Sequence, residues 1–175
     1  MNVYNNTPYV ASDSSRGSTL GLYRHGEDDG YGRGITIYPR RMRPDGPDFN
    51  LEDRIKSNIF HESHHLFRDM LFGGKYTDEE SKYLRLAIPD AINDNERAAR
   101  IREARGNLNI QTGATGKKLD DAVDKMSSKE AKFHYSKLNS SEANTSGWNP
   151  QIEDAFRWAL KNIASTQIRP RQGLL

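Results

Sequence analysis

His61-Glu62-Ser63-His64-His65 gathers three of the chain's five histidines and fits the pattern H-E-x-x-H. Residues four apart on an α-helix sit one turn apart on the same face, about 40° round the axis. His61 and His65 would then point the same way, and two imidazoles at that spacing can share one zinc ion at about 2.0–2.1 Å. Glu62 is turned about 100° from His61, which puts its carboxylate beside a metal rather than on it. From there it could take a proton from a water that the metal activates and pass that proton to a leaving amine. His64 is turned about 60° from the His61 side, which suits a surface position or an indirect role.

Two histidines do not complete such a site, because a catalytic zinc usually has three protein ligands and one open position. The extended form H-E-x-x-H-x-x-G-x-x-H is absent, since residues 68 and 71 are Arg and Leu. The third ligand should therefore be acidic and lie downstream on another helix. Glu96, 31 residues after His65 in NERAA, is the leading candidate, against the reading of an ordinary solvated helix glutamate. Asp94, Asp90, Glu103 and His134 are rivals. Asp69, four after His65, could orient that imidazole or be a plain surface acid. Tyr135, next to His134 in KFHYSK, could donate to an oxyanion formed during hydrolysis, or be a core aromatic.

These residues need elements to hold them. Asn50 is a good N-cap, with Asp53 at N3, and opens a helix LEDRIKSNIFHESHHLFRDMLF that should stop at Gly73-Gly74. Leu51, Ile55, Ile59, Leu66 and Met70 fall in an arc of roughly 100° on this helix. Phe60, Phe67 and Leu71 widen the apolar surface, so HESHH should sit in a core helix. Ahead of it, Leu20–Tyr23 and Ile35–Tyr38 read as the strands of a hairpin, separated by the glycine-rich and acidic HGEDDGYGRG. Thr77 and Glu80 form a capping box for a helix through about Ala87, limited by Pro89. A further helix is expected through NDNERAARIREAR, ending at Gly106, with Ala98, Ala99 and Ala104 allowing close packing. GNLNIQTGATG reads as a loop, and a short helix follows at about Leu119–Met126. Ser127 with Glu130 opens another helix through about Leu138. Asn149-Pro150 starts the last one, with Ile152, Phe156, Leu160 and Ile163 on one stripe.

Composition bounds the classes. At 175 residues, the expectation is a flexible segment over 1–19 and a single α+β domain over 20–175, a small sheet or hairpin packed on the histidine helix with further helices. A formal net charge of +2 gives no field for nucleic acid. No apolar run approaches the roughly 18 residues of a membrane helix. With no cysteine, disulfides and cysteine-ligated metal are excluded, and any metal must be held by His, Asp or Glu. The start MNVYNNTPYVASDSSRGSTLG lacks the charged head and apolar run of a conventional signal peptide. It reads as a frayed terminus or, more sharply, as the Ser-rich export signal of a dedicated bacterial secretion system.

HESHH, the Gly73-Gly74 stop, the E-x-x-A of Glu96 to Ala99, the strand ITIYP ahead of the helix and IREARG at 101–106 together resemble small bacterial zincin effectors and toxins. These include type III effector peptidases that clip host MAP kinases and the H-E-x-x-H tips of Rhs-type polymorphic toxins. The resemblance spans roughly residues 34–110, and its specific part is H-E-x-x-H. Ser63 and His64 depart from it, because such enzymes usually carry at least one large aliphatic residue there. The resemblance implies a minimal zincin-like fold and a zinc metallopeptidase, with His61, His65 and Glu96 as ligands and Glu62 as general base. It also implies secretion into a host or rival cell, a protein or peptide substrate there, and an immunity protein or chaperone as partner. Two other readings are carried beside it: a zinc amidohydrolase acting on a small or cell-wall peptide, and a non-catalytic binding protein in which the motif is accidental.

Overall fold

A computed structural model of the chain describes residues 9–11, 20–24, 34–39, 42, 50–72, 75–89, 91, 93–138 and 147–163. It is mostly helical with one small sheet, a small α+β arrangement. The chain divides into two compact units, residues 1–75 and 76–175, where the sequence offered no linker. Each unit has an apolar core of its own.

The first unit holds strands β1 (Tyr9–Ala11), β2 (Gly21–Arg24) and β3 (Gly34–Ile37) and helix α1 (Leu51–Phe72). β2 and β3 pair antiparallel, with Gly21 opposite Ile37 and Tyr23 opposite Ile35, as the hairpin reading expected. The 1–19 segment, expected to be flexible, contributes β1, which pairs in parallel with β3 and makes the order β1-β3-β2. As the central strand, β3 buries Ile35, Thr36 and Ile37 in succession, while the edge strand β2 alternates, with Tyr23 inside and Leu22 outside.

The Asn50 side chain accepts from the Glu52 and Asp53 amides at 2.9 and 3.3 Å, and so caps the start of α1. Ile55, Ile59 and Leu66 pack with Tyr23, Ile35, Ile37 and Met42 of the sheet side. The rest of the apolar arc is looser, since Leu51 is 43% exposed. Among its described side chains, what α1 buries besides Leu66 is polar: Ser57, Glu62, Ser63, His64 and Arg68. The Arg68 guanidinium donates to the Lys75 carbonyl just beyond the helix. Gly73-Gly74 and the side chains of Asp69, Met70 and Leu71 lie outside what is described.

The second unit is built from α2 (Asp78–Ala87), α3 (Asp94–Thr112), α4 (Gly116–Lys125), α5 (Ser128–Ser136) and α6 (Pro150–Asn162). Both capping boxes, Thr77 with Glu80 and Ser127 with Glu130, form as the sequence spells them. α6 is the hub. Its stripe of Phe156, Leu160 and Ile163 is buried against residues from the other four helices, with Leu84, Ile101, Val123 and Tyr135 among them. Two arginines tie the helices together through backbone carbonyls. Arg157 reaches the Val123 and Met126 carbonyls at 2.6 and 2.7 Å and satisfies the open end of α4. The buried Arg105 reaches the Leu160 carbonyl and the Asp120 carboxylate, each at 2.8 Å.

Two helix boundaries differ from the expectation, and the first is that α4 starts at Gly116 rather than at about Leu119. α3 does not end at Gly106 but continues to Thr112, so most of the loop expected over 106–116 is helical. Gly106 lies buried within the helix, and Leu108 is pulled into the core behind it. The left-handed turn that closes the helix is supplied by Gly113, at φ +64°, and its amide bonds back to the Asn109 carbonyl.

Candidate metal and hydrolytic site

α1 turns the five-residue motif into two neighbouring faces. At 100° per residue, Ile55, Ile59, Glu62 and Leu66 lie within about 60° of one another. Three of these are the residues that pack on the sheet, so Glu62 shares the sheet-facing side. His61 and His65 share the adjoining face. Their ring centres are 5.1 Å apart with planes inclined at 72°, and their ligand nitrogens lie within 4.8 Å. Two imidazoles on one tetrahedral zinc, each nitrogen about 2.0–2.1 Å from it, have ring centres about 5.2 Å apart. The observed spacing therefore suits a shared divalent ion, and both rings remain half-buried rather than sealed.

Glu62 is buried, with 7% of its surface exposed. Its carboxylate lies directly over Gly21 of β2. A Cβ built on Gly21 would stand 2.8 Å from Glu62 Oε1, 2.9 Å from Cγ and 3.2 Å from Cδ. Sequence reading took Gly21 as an ordinary strand residue. The signal available was a glycine inside a strand, which marks close approach of another group to the backbone.

His64, expected at the surface or in an indirect role, is buried at 4% exposure, so the surface option falls away. Its ring meets His65 edge-on at 6.4 Å between centres. The helix wheel gave its direction correctly, but a wheel carries no information on what covers that direction.

In the second unit, Glu96 sits in the first turn of α3, half-buried, and its amide donates to the Asn93 cap at 2.9 Å. The corner before it is held firmly. Arg97 donates to the carbonyls of Ile88 and Pro89 at 2.8 and 3.1 Å and pairs with Asp94 at 2.8 Å. Tyr76 donates its hydroxyl to Asn95 at 3.0 Å. Asp94, a rival for the third ligand, is engaged in this corner as the acceptor for Arg97 and Arg85. Burial alone would raise its carboxyl pKa, but hydrogen bonds from Ser81, Arg85 and Arg97 outweigh burial and hold it below the ordinary value. A depressed carboxylate stabilises the fold above its unfolded pKa, and that contribution is lost as pH falls through the folded one. Asp94→Asn is therefore expected to lower stability by about 1.5 kcal/mol at pH 7. The difference should shrink in urea titrations as pH falls through the depressed folded-state pKa of Asp94.

Of the other candidates, Glu103 is half-buried on α3, and Asp90 lies outside the described residues. His134 is half-buried on α5; burial pushes its pKa down, against an opposing pull from Glu130. Tyr135 is in the core of the second unit, its ring against Trp148 and Phe156 at 5.0 and 5.5 Å. Tyr135 is thus a core aromatic.

Compared with protein families, curated proteins and solved structures, the chain matches none. Among the described residues, no helix is long and apolar enough to cross a membrane.

Proposed function

We propose that this chain is a zinc-dependent peptidase in which His61 and His65 hold the metal and Glu62 is the general base. The observation that carries the proposal is the His61–His65 pair, with ring centres 5.1 Å apart on one helix face and the Glu62 carboxylate on the adjoining one. Glu96 is proposed as the third ligand from its place in the sequence alone. Such nitrogen and oxygen donors also suit other divalent metals, so zinc is chosen on the H-E-x-x-H pattern. Zinc, when bound, would acidify a water and polarise the scissile carbonyl.

The remaining steps fall to the chain. Glu62 accepts the water's proton on a carboxylate oxygen as that water attacks the carbonyl carbon. It then delivers the proton to the amide nitrogen as the C–N bond breaks, which leaves a carboxylic acid and an amine. Its burial keeps bulk water from competing for that proton. A secreted bacterial effector or toxin acting on a protein in a target cell, with an immunity protein or chaperone, is proposed on the sequence resemblance alone.

The test is hydrolysis of a mixed peptide library before and after treatment with a zinc chelator. Cleavage should fall at least about tenfold and return on adding zinc. Cleavage indifferent to the chelator would remove the metal from the mechanism. Hydrolysis confined to small amides would favour the amidohydrolase reading.

A further inference from the structure

We infer that Gly21 is a positioning residue for Glu62, its missing side chain leaving the space in which the carboxylate lies. The inference rests on the reading of Glu62 as the general base. The contact itself is part of the fold of the first unit and stands apart from that reading. Three successive atoms of the Glu62 side chain would be met by a Cβ at Gly21, at 2.8, 2.9 and 3.2 Å. Real Cβ atoms essentially never approach other heavy atoms below 3.0 Å, so the carboxylate must rotate away if alanine stands at 21.

The backbone is not the reason for glycine here. Gly21 pairs with Ile37 in a regular antiparallel register and is not among the positive-φ glycines of the described residues, Gly113 and Gly116. Alanine would suit the strand, and the side chain above it would not. The two residues come from elements that pack on each other, and the neighbouring contacts of Ile55, Ile59 and Leu66 with the sheet fix their separation. β2 therefore acts as a floor under the carboxylate. It limits the rotamers open to Glu62 and so fixes where the carboxylate lies.

A floor of this kind makes a distinctive pattern of effects. Because Cγ as well as Oε1 would stand under 3.0 Å from the Cβ, the fold yields by turning the Glu62 side chain about χ1, which carries the carboxylate away with it. The damage then falls on proton transfer more than on folding, because a displacement of about 1 Å can cost on the order of 100-fold in rate. Gly21→Ala should retain the zinc content of the wild type and keep KM within about twofold, while kcat falls by about 10- to 100-fold. A general packing defect would give a different outcome, lowering zinc content along with activity and lowering the melting temperature equally with and without the Glu62 side chain.

The experiment is a cycle of Gly21→Ala and Glu62→Ala, read by kcat, KM, zinc per chain and thermal midpoint. Gly21→Ala is expected to lower the midpoint in the wild-type background. In the Glu62→Ala background it should leave the midpoint unchanged or raise it, because the space is then empty. An equal loss of midpoint in both backgrounds would overturn the contact. A wild-type kcat in Gly21→Ala beside an inactive Glu62→Gln would overturn the positioning role. If Glu62→Gln is itself fully active, the peptidase reading fails, and the melting cycle still decides whether Gly21 holds Glu62.

Discussion

Replacing Glu62 by glutamine is expected to lower kcat/KM for peptide hydrolysis by about 10²–10⁴-fold. Glutamine keeps the length and shape that fit over Gly21 and removes the negative charge and the ability to accept a proton. Asn50 caps α1 independently of the motif. The change replaces one buried carboxylate oxygen by an amide NH2 of equal size, so the packing of the fold and the histidine pair should stand. A loss of this size with unchanged substrate binding is the signature of a group that acts in the transition state. If the motif were accidental, the same substitution would leave whatever the chain does intact, which separates the peptidase from the binding-protein reading.

The second large effect falls on the second unit. Phe156→Ala is expected to cost about 3–5 kcal/mol, since Phe156 is fully buried at the hub of α6 and alanine would leave a cavity. Phe156 meets Tyr135 and Trp148 edge-on at 5.5 and 6.3 Å, so the ring pairs are lost along with the buried area. For a unit of about 100 residues this should lower the melting temperature by well over 10 °C. Differential scanning calorimetry reads it, and a shift of less than about 4 °C would contradict the core described for α6.

What was legible in the sequence is mainly what local chemistry decides. Thr77 with Glu80, Ser127 with Glu130 and Asn149 with Pro150 begin helices because a side chain three residues away closes the turn, and all three formed as spelled. The direction of His61, Glu62 and His65 followed from helical geometry alone. The failures share a different cause. Gly106 reads as a stop, yet it lies inside α3 because Leu108 beyond it is drawn into a core the local pattern does not contain. β1 is three residues in a polar segment, and its partner β3 comes some 25 residues later, so no local signal marks it. The approach of Gly21 to Glu62 joins two elements with β3 and the first turns of α1 between them. It leaves only a strand glycine as its trace in the sequence.

The measurement that bears most directly on the central claim is zinc per chain and peptide turnover, taken together on wild type and Glu62→Gln purified identically. Close to one zinc in each protein, with turnover in the wild type alone, is the expected result. Less than a few tenths of a zinc in the wild type, or equal turnover in the two proteins, would contradict it.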